Sequence, residues 1–164
     1  MSTTIGNLFT GFNDAQLRPN DRSIEVTEVC DNSASARAGS LFVAVPGTHR
    51  DGAAFAGDAV SRGAVAIVAE RPLDVGVPVI LVPDARTALA HLAAAQHGFP
   101  ARDLHLVGIT GTIGKTSVLA MLAAILGEAG IRAGSIGSLG IMFEGQNIET
   151  GNTTPGILTL QRAL

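Results

Sequence analysis

The stretch that most constrains this chain reads LHLVGITGTIGKTS, over residues 104–117. An apolar run breaks into a glycine-rich turn, and Lys115 and Thr116 follow at once. The pattern predicts a buried strand over 104–109 that runs into a tight loop and then a helix. Gly111 and Gly114 lack a Cβ, so the backbone there can curl and approach an anion closely. Successive N–H groups then face one concavity, and the helix adds its positive N-terminal end. The common form GxxxxGK[ST] is not met, because Ile109 stands where its first glycine should fall and Gly108 lies one place early. The shorter form G-T-x-G-K-T-[ST] is met by Gly111, Thr112, Ile113, Gly114, Lys115, Thr116 and Ser117. On this reading the seven residues bind the phosphates of ATP. Lys115, the catalytic candidate, reaches the terminal phosphates, and the Thr116 hydroxyl sits on a bridging magnesium ion. The alternative is a plain strand–turn–helix connection with a surface lysine. Gly-Lys-Thr set directly between an apolar run and an apolar helix favours the phosphate loop.

Composition bounds the rest. The chain has 164 residues, of which 46% are hydrophobic and 15% charged, so it can bury a core and is not a disordered chain. That length suits one domain or two small ones. The net charge is −3 without a basic block, which argues against a nucleic-acid partner. The lone Cys30 excludes an internal disulfide and suits a reducing compartment. No Lys or Arg precedes Arg18, so no signal peptide is expected. The longest apolar run, residues 118–126, has nine residues, far below the ~20 needed to span a bilayer. The expectation is a cytoplasmic monomer with no membrane insertion.

Along the chain, Ile5, Leu8, Phe9 and Phe12 have helical spacing, and Pro19 and Asn20 end that helix. Residues 23–29 alternate as a strand would, and 41–45 form a compact apolar run that reads as a buried strand. Asp51 can cap a helix over 53–62, with Gly63 as its stop. Ala64–Ala69 and residues 79–82 read as strands, and Asp84 caps an alanine-rich helix over 85–97. The pattern restarts at 100–103, where a domain boundary is placed. A helix over 114–126, apolar on nearly every side, should be buried. A strand over 131–136, a hairpin arm over 141–148 and a helix from 157 follow. Strands alternating with helices of about ten residues predict βαβ units around a mainly parallel sheet. The expected fold is α/β: a Rossmann-like domain over 1–100, then the beginning of a P-loop ATPase domain over 101–164. The second unit is too short to close a sheet of its own, so the chain is expected to be a fragment.

These residues resemble the Mur ligases of peptidoglycan synthesis. Residues 107–117 look like that family's ATP loop. Residues 39–47, then Asp51, Gly52, Phe55, Ala59, Val60, Arg62, Gly63 and Ala64, follow its first domain. Asn152, Thr153, Thr154 and Pro155, with Leu158, Thr159 and Leu160, resemble the substrate loop of the members that add the third residue of the stem peptide (MurE-type). The resemblance implies an ATP- and Mg2+-dependent acid–amino-acid ligase. Its small-molecule substrates would be UDP-N-acetylmuramoyl-L-alanyl-D-glutamate, ATP and an amino acid, joined through an acyl phosphate. It assigns Ser33 and His49 to the uridine part, and Asn152, Thr153 and Thr154 to the muramoyl-peptide part. Where the family usually has Asp-Ser-Arg, this chain has Asn32, Ser33 and Ala34, so the acid is an amide and the arginine is gone. The family's later magnesium-binding and amino-acid-binding parts lie beyond position 164, so the chain as given is expected to be inactive. Two alternatives stay open: a folyl- or cyanophycin-type ligase of the same superfamily, or a non-catalytic module that holds nucleotide or UDP-sugar.

His49 is either a nucleotide contact or a solvated loop histidine. His91 and His97 are six apart and cannot share a metal as an i, i+4 pair does, and His105 has no partner in sequence, so no zinc is expected. Cys30 has no neighbouring base and reads as a packed side chain. The small residues from Gly137 to Gly140 read as a turn packed near the phosphate loop.

Overall fold

A parallel strand is covered on both faces and therefore reads as a continuous apolar run. SLFV and AVAIVA are such runs, and they form the centre of the sheet. In the computed structural model, which describes residues 2–47, 51–148 and 155–164, the chain divides into two compact units, Met1–Pro100 and Ala101–Leu164.

The first unit contains β1 (Thr3–Thr4), α1 (Ile5–Leu8), β2 (Glu25–Val26), β3 (Glu28–Cys30), β4 (Ser40–Val43), α2 (Ala56–Ser61), β5 (Ala64–Ala69), β6 (Val79–Leu81) and α3 (Ala85–Gln96). Strands β3, β4, β5 and β6 make a four-stranded, all-parallel sheet in chain order. Phe42 stands opposite Ile67 and Val43 opposite Val68. Successive side chains alternate between the faces. Phe42, Ala44 and Ile67 pack with Ala56 and Ala59 of α2. On α3, Ala85, Ala88, Leu89, Leu92 and Ala93 are buried, a stripe at i, i+3, i+4, i+7 and i+8 that packs on β3, β4 and β5. The free edge of β3 is met by α3 itself, since Val29 N–H donates to Gln96 Oε1 at 2.7 Å. Buried Ser40 is satisfied twice: its Oγ accepts from Arg37 N–H at 2.8 Å and donates to Glu28 Oε1 at 3.1 Å.

Local chemistry sets the element ends. Asp84 Oδ1 accepts from the N–H groups of Arg86 (2.8 Å) and Thr87 (3.0 Å), capping α3. Asp51 Oδ1 accepts from Ala53 N–H at 2.9 Å. The turn it caps is a 3-10 segment, Gly52–Phe55, that leads into α2, so the expected helix over 53–62 starts tighter than the α form. Gly63 ends α2 at φ +108°, and a Cβ there would lie 2.8 Å from the Ala38 backbone, so no other residue fits without a shift. The expected strand over 23–29 is two strands. At Thr27 the N–H turns to Gly39 O and Oγ1 donates to Ala38 O, which separates β2, paired with β1, from β3 in the main sheet. The N-terminal helix is also shorter than its apolar spacing suggests, and Gly11 at φ +82° lies in the turns that replace its second half.

The second unit contains α4 (Lys115–Glu128), β7 (Ser135–Gly137), β8 (Gly140–Phe143), β9 (Gln146–Ile148) and α5 (Ile157–Ala163). Strands β7, β8 and β9 form an antiparallel meander. The β8–β9 turn has Glu144 at φ +47° and Gly145 at φ +79°, as a two-residue hairpin of type I′ requires. The strand expected over 131–136 is present but begins later, at Ser135.

Two expectations for this unit are corrected. Residues 104–109 form no strand, and Leu106 and Val107 are 64% and 69% exposed. A parallel strand exists only through ladder partners, and β7, β8 and β9 bond only to one another among the described residues. Helix α4 likewise has no buried residue, although it is apolar on nearly every side. Its chief neighbour is β7, which covers one face only. Among the described residues, no helix is long and apolar enough to cross a membrane.

Phe42 is fully enclosed at the centre of the first sheet. Phe42→Ala should lower the unfolding free energy of that unit by about 3–5 kcal/mol, measured by urea titration followed by circular dichroism. A change within experimental error would contradict the packing described.

Candidate functional site

The glycine-rich stretch is a turn. Gly111 has φ +149° and Gly114 has φ +83°, both in the region that favours glycine. Nothing lies within 4 Å of a Cβ built on Gly114, so the demand there is conformational and not steric. Helix α4 starts at Lys115, directly after that left-handed residue, with no side-chain cap. Its first helical bond is Val118 N–H to Gly114 O at 3.0 Å. Among the described residues, no backbone N–H from Thr112 to Ser117 donates to a protein acceptor. An exposed helix N-terminus with unsatisfied amides is suited to an anion. Lys115 folds back over the same loop, and its Nζ donates to Gly111 O at 2.6 Å.

A cleft of about 350 Å³ lies over this turn, lined by residues 112–117 and Ser138. Inside it Thr116 Oγ1 and Ser138 Oγ are 3.2 Å apart. Ile113 is 90% exposed and brings no polar atom, so the loop's polarity is that of its backbone, Lys115 and the hydroxyls. Among the described residues, no three His, Cys, Asp or Glu side chains meet in a group that could hold a metal. A magnesium ion here would take its oxygens from phosphate and from Thr116. That fits a hard cation that is usually bound through few protein ligands.

In the first unit, Ser33 follows β3 at the carboxyl edge of the parallel sheet and is 7% exposed. In sheets of this kind ligands bind outside the carboxyl ends of the strands. Asn32 opens the short turn Ser33–Ser35, with its Oδ1 accepting from Ala34 N–H at 3.0 Å, so the amide supplies the capping oxygen. The Asp58 carboxyl on α2 is held below the usual carboxylate range, first by a hydrogen bond from Ser33 and then by Arg62. Arg62 Nε donates to Asp58 Oδ1 at 3.0 Å and to Oδ2 at 3.1 Å. At the same edge, Arg71 pairs with Asp51 at 2.7 Å, and Arg86 Nη2 donates to Pro46 O at 3.2 Å. His49, Asn152, Thr153 and Thr154 lie outside the described residues.

Two features of these sites escaped the sequence reading. The Ser138 hydroxyl lies among residues that read only as small and closely packed. Asp58 looks like any polar residue on an exposed helix face. His91 sits between Phe12 and Phe99, with ring centroids 5.2 and 5.3 Å away, and is a packed aromatic.

The parallel sheet and the glycine-rich turn define the class: an α/β protein whose second unit carries a loop of the phosphate-binding type. Comparison with known proteins narrows this. Residues 25–97 match the pattern described as Mur ligase family, catalytic domain, and residues 109–164 match the Mur ligase middle domain. The chain belongs to the Mur ligase family. A UDP-N-acetylmuramoyl-L-alanyl-D-glutamate--2,6-diaminopimelate ligase from Geobacillus thermodenitrificans is 51% identical over 124 residues, covering 76% of this chain and 25% of that one. The ligase of the same name from Listeria monocytogenes serotype 4b is 45% identical over 139 residues, covering 85% and 28%. The chain thus spans about a quarter of the length of the curated relatives it matches. Among solved structures, MurF from Acinetobacter baumannii aligns with a TM-score of 0.60 at 27% identity, over 78% of this chain and 28% of that one. A UDP-N-acetylmuramoyl-L-alanyl-D-glutamate--2,6-diaminopimelate ligase shares the fold with a TM-score of 0.72 at 21% identity, over 99% of this chain and 33% of that one.

Cys30 is 3% exposed. Burial, with Glu28 beside it, pushes its thiol up to about 11. At pH 8 the group is a neutral thiol, and the thiolate is the nucleophile. A disulfide reagent at pH 8 should therefore label Cys30 only as fast as the first unit opens. Labelling of the native chain at the rate of a free model thiol would contradict this environment.

Proposed function

We propose that this chain supplies the first domain and the phosphate loop of an ATP-dependent ligase. The ligase adds the third amino acid to UDP-N-acetylmuramoyl-L-alanyl-D-glutamate in peptidoglycan synthesis, in the cytoplasm and as a monomer. The observation that carries the proposal is the row of unsatisfied amides at the uncapped start of α4, beside Lys115. The names of relatives at 45–51% identity support 2,6-diaminopimelate as the amino acid.

On this reading Lys115 leaves Gly111 O and reaches the terminal phosphates of ATP. The amides of residues 112–117 take the phosphate oxygens, and Thr116 gives its hydroxyl to Mg2+. These fixed dipoles stand where charge spreads as the γ-phosphoryl moves to the substrate carboxylate, and they need no reorganisation at that moment. The ion, when bound, neutralises part of the phosphate charge. Ser33 and His49 hold the uridine part. Asn152, Thr153 and Thr154 position the muramoyl peptide so that its carboxylate meets the γ-phosphate, and the resulting acyl phosphate is open to the amine of the incoming amino acid.

Calorimetric titration separates this reading from its rivals. The chain should bind both Mg·ATP and UDP-N-acetylmuramoyl-L-alanyl-D-glutamate, and Lys115→Ala should reduce ATP affinity at least a hundredfold. Unchanged ATP affinity in that variant would overturn the role of the loop.

A further inference from the structure

Thr116 faces a choice that its own position does not settle. A threonine in a helix divides between rotamers, because its hydroxyl can bond back to a carbonyl of the preceding turn. A hydroxyl that offers a lone pair to a cation must also place its proton on some acceptor. The oxygen within reach is Ser138 Oγ, at 3.2 Å. Ser138 and Leu139 are the two residues between Gly137 and Gly140, which pair in register as the ends of β7 and β8. Gly137 lies against α4, where a Cβ would stand 3.3 Å from Leu119 Cδ2. The hairpin is thus held close to the helix that carries Thr116, and its turn brings a hydroxyl into the cleft.

We propose that Ser138 is a positioning residue for the metal-bound nucleotide. Its Oγ accepts the Thr116 Oγ1 proton, so that the Thr116 lone pair points into the cleft and not back along the helix. The hydroxyl of a metal ligand needs such an outer partner, much as a ligating imidazole does. The inference rests on the reading of residues 111–117 as an ATP loop, and it adds the residue that orients the loop's metal-side hydroxyl.

The test is calorimetric titration of the full chain with ATP, once with magnesium and once in EDTA. Ser138→Ala should weaken Mg·ATP binding about five- to tenfold, the size of one hydrogen bond, while metal-free ATP affinity stays within about twofold of wild type. Ser138→Thr keeps the hydroxyl and should restore the magnesium effect. A purely structural role would weaken both titrations equally, and that result overturns the proposal. So does a Ser138→Ala chain that binds Mg·ATP as wild type does. If wild-type chain binds no ATP in either buffer, the loop reading itself fails and this inference falls with it. If wild type binds and only the magnesium dependence is unmoved by the substitution, the loop reading stands and Ser138 has no part in it.

Discussion

Every helix must do something with its first N–H groups, and this chain treats two of its helices in opposite ways. Helix α3 begins on Asp84, whose carboxylate takes two of those groups, while Glu70 Oε1 takes a third from Ala85 at 2.9 Å. Helix α4 begins on a glycine at positive φ, and its amides find no acceptor among the described residues. A capped start is structural and closed. An uncapped one next to a lysine leaves donors for a ligand, and the functional reading depends on that difference.

The first unit builds the edge proposed for a second ligand by a different route. Its all-parallel sheet sends β3 and β4 out at the same end. Ser33 and Pro46 come after those strands, and Arg62, Arg71 and Arg86 bond to Asp58, Asp51 and the Pro46 carbonyl nearby. Asn32 opens the Ser33 turn, and Ala34 stands inside it. The Asn32 amide oxygen caps that turn by accepting from Ala34 N–H, as a carboxylate would. On α2, Arg62 Nε reaches the Asp58 carboxylate at 3.0 Å.

Much of the first unit was legible from residue order alone. AVAIVA over Ala64–Ala69 is too apolar for an exposed strand and too short for a helix, and it forms β5 with those bounds. Asp84 before an alanine-rich run announces α3. The same logic misled in the second unit. Residues 104–109 and α4 have the composition of buried elements, but composition records a demand for cover and does not supply it. Without ladder partners the first is not a strand, and with β7 as chief neighbour the second stays exposed. β1 went unread because a two-residue strand carries no period, while β2 fell inside the strand expected over 23–29. Ser138 was legible as small but not as a hydroxyl aimed at Thr116, since that contact spans 22 positions and depends on how the hairpin meets the helix.

The central claim is that the free amides at the start of α4 close around a triphosphate. It is tested most directly by assigning the backbone amide resonances of the chain and titrating Mg·ATP. The account predicts large shifts confined to Thr112 through Ser117, with a smaller one at Ser138. Shifts absent from that stretch, or larger at the capped start of α3, would contradict it.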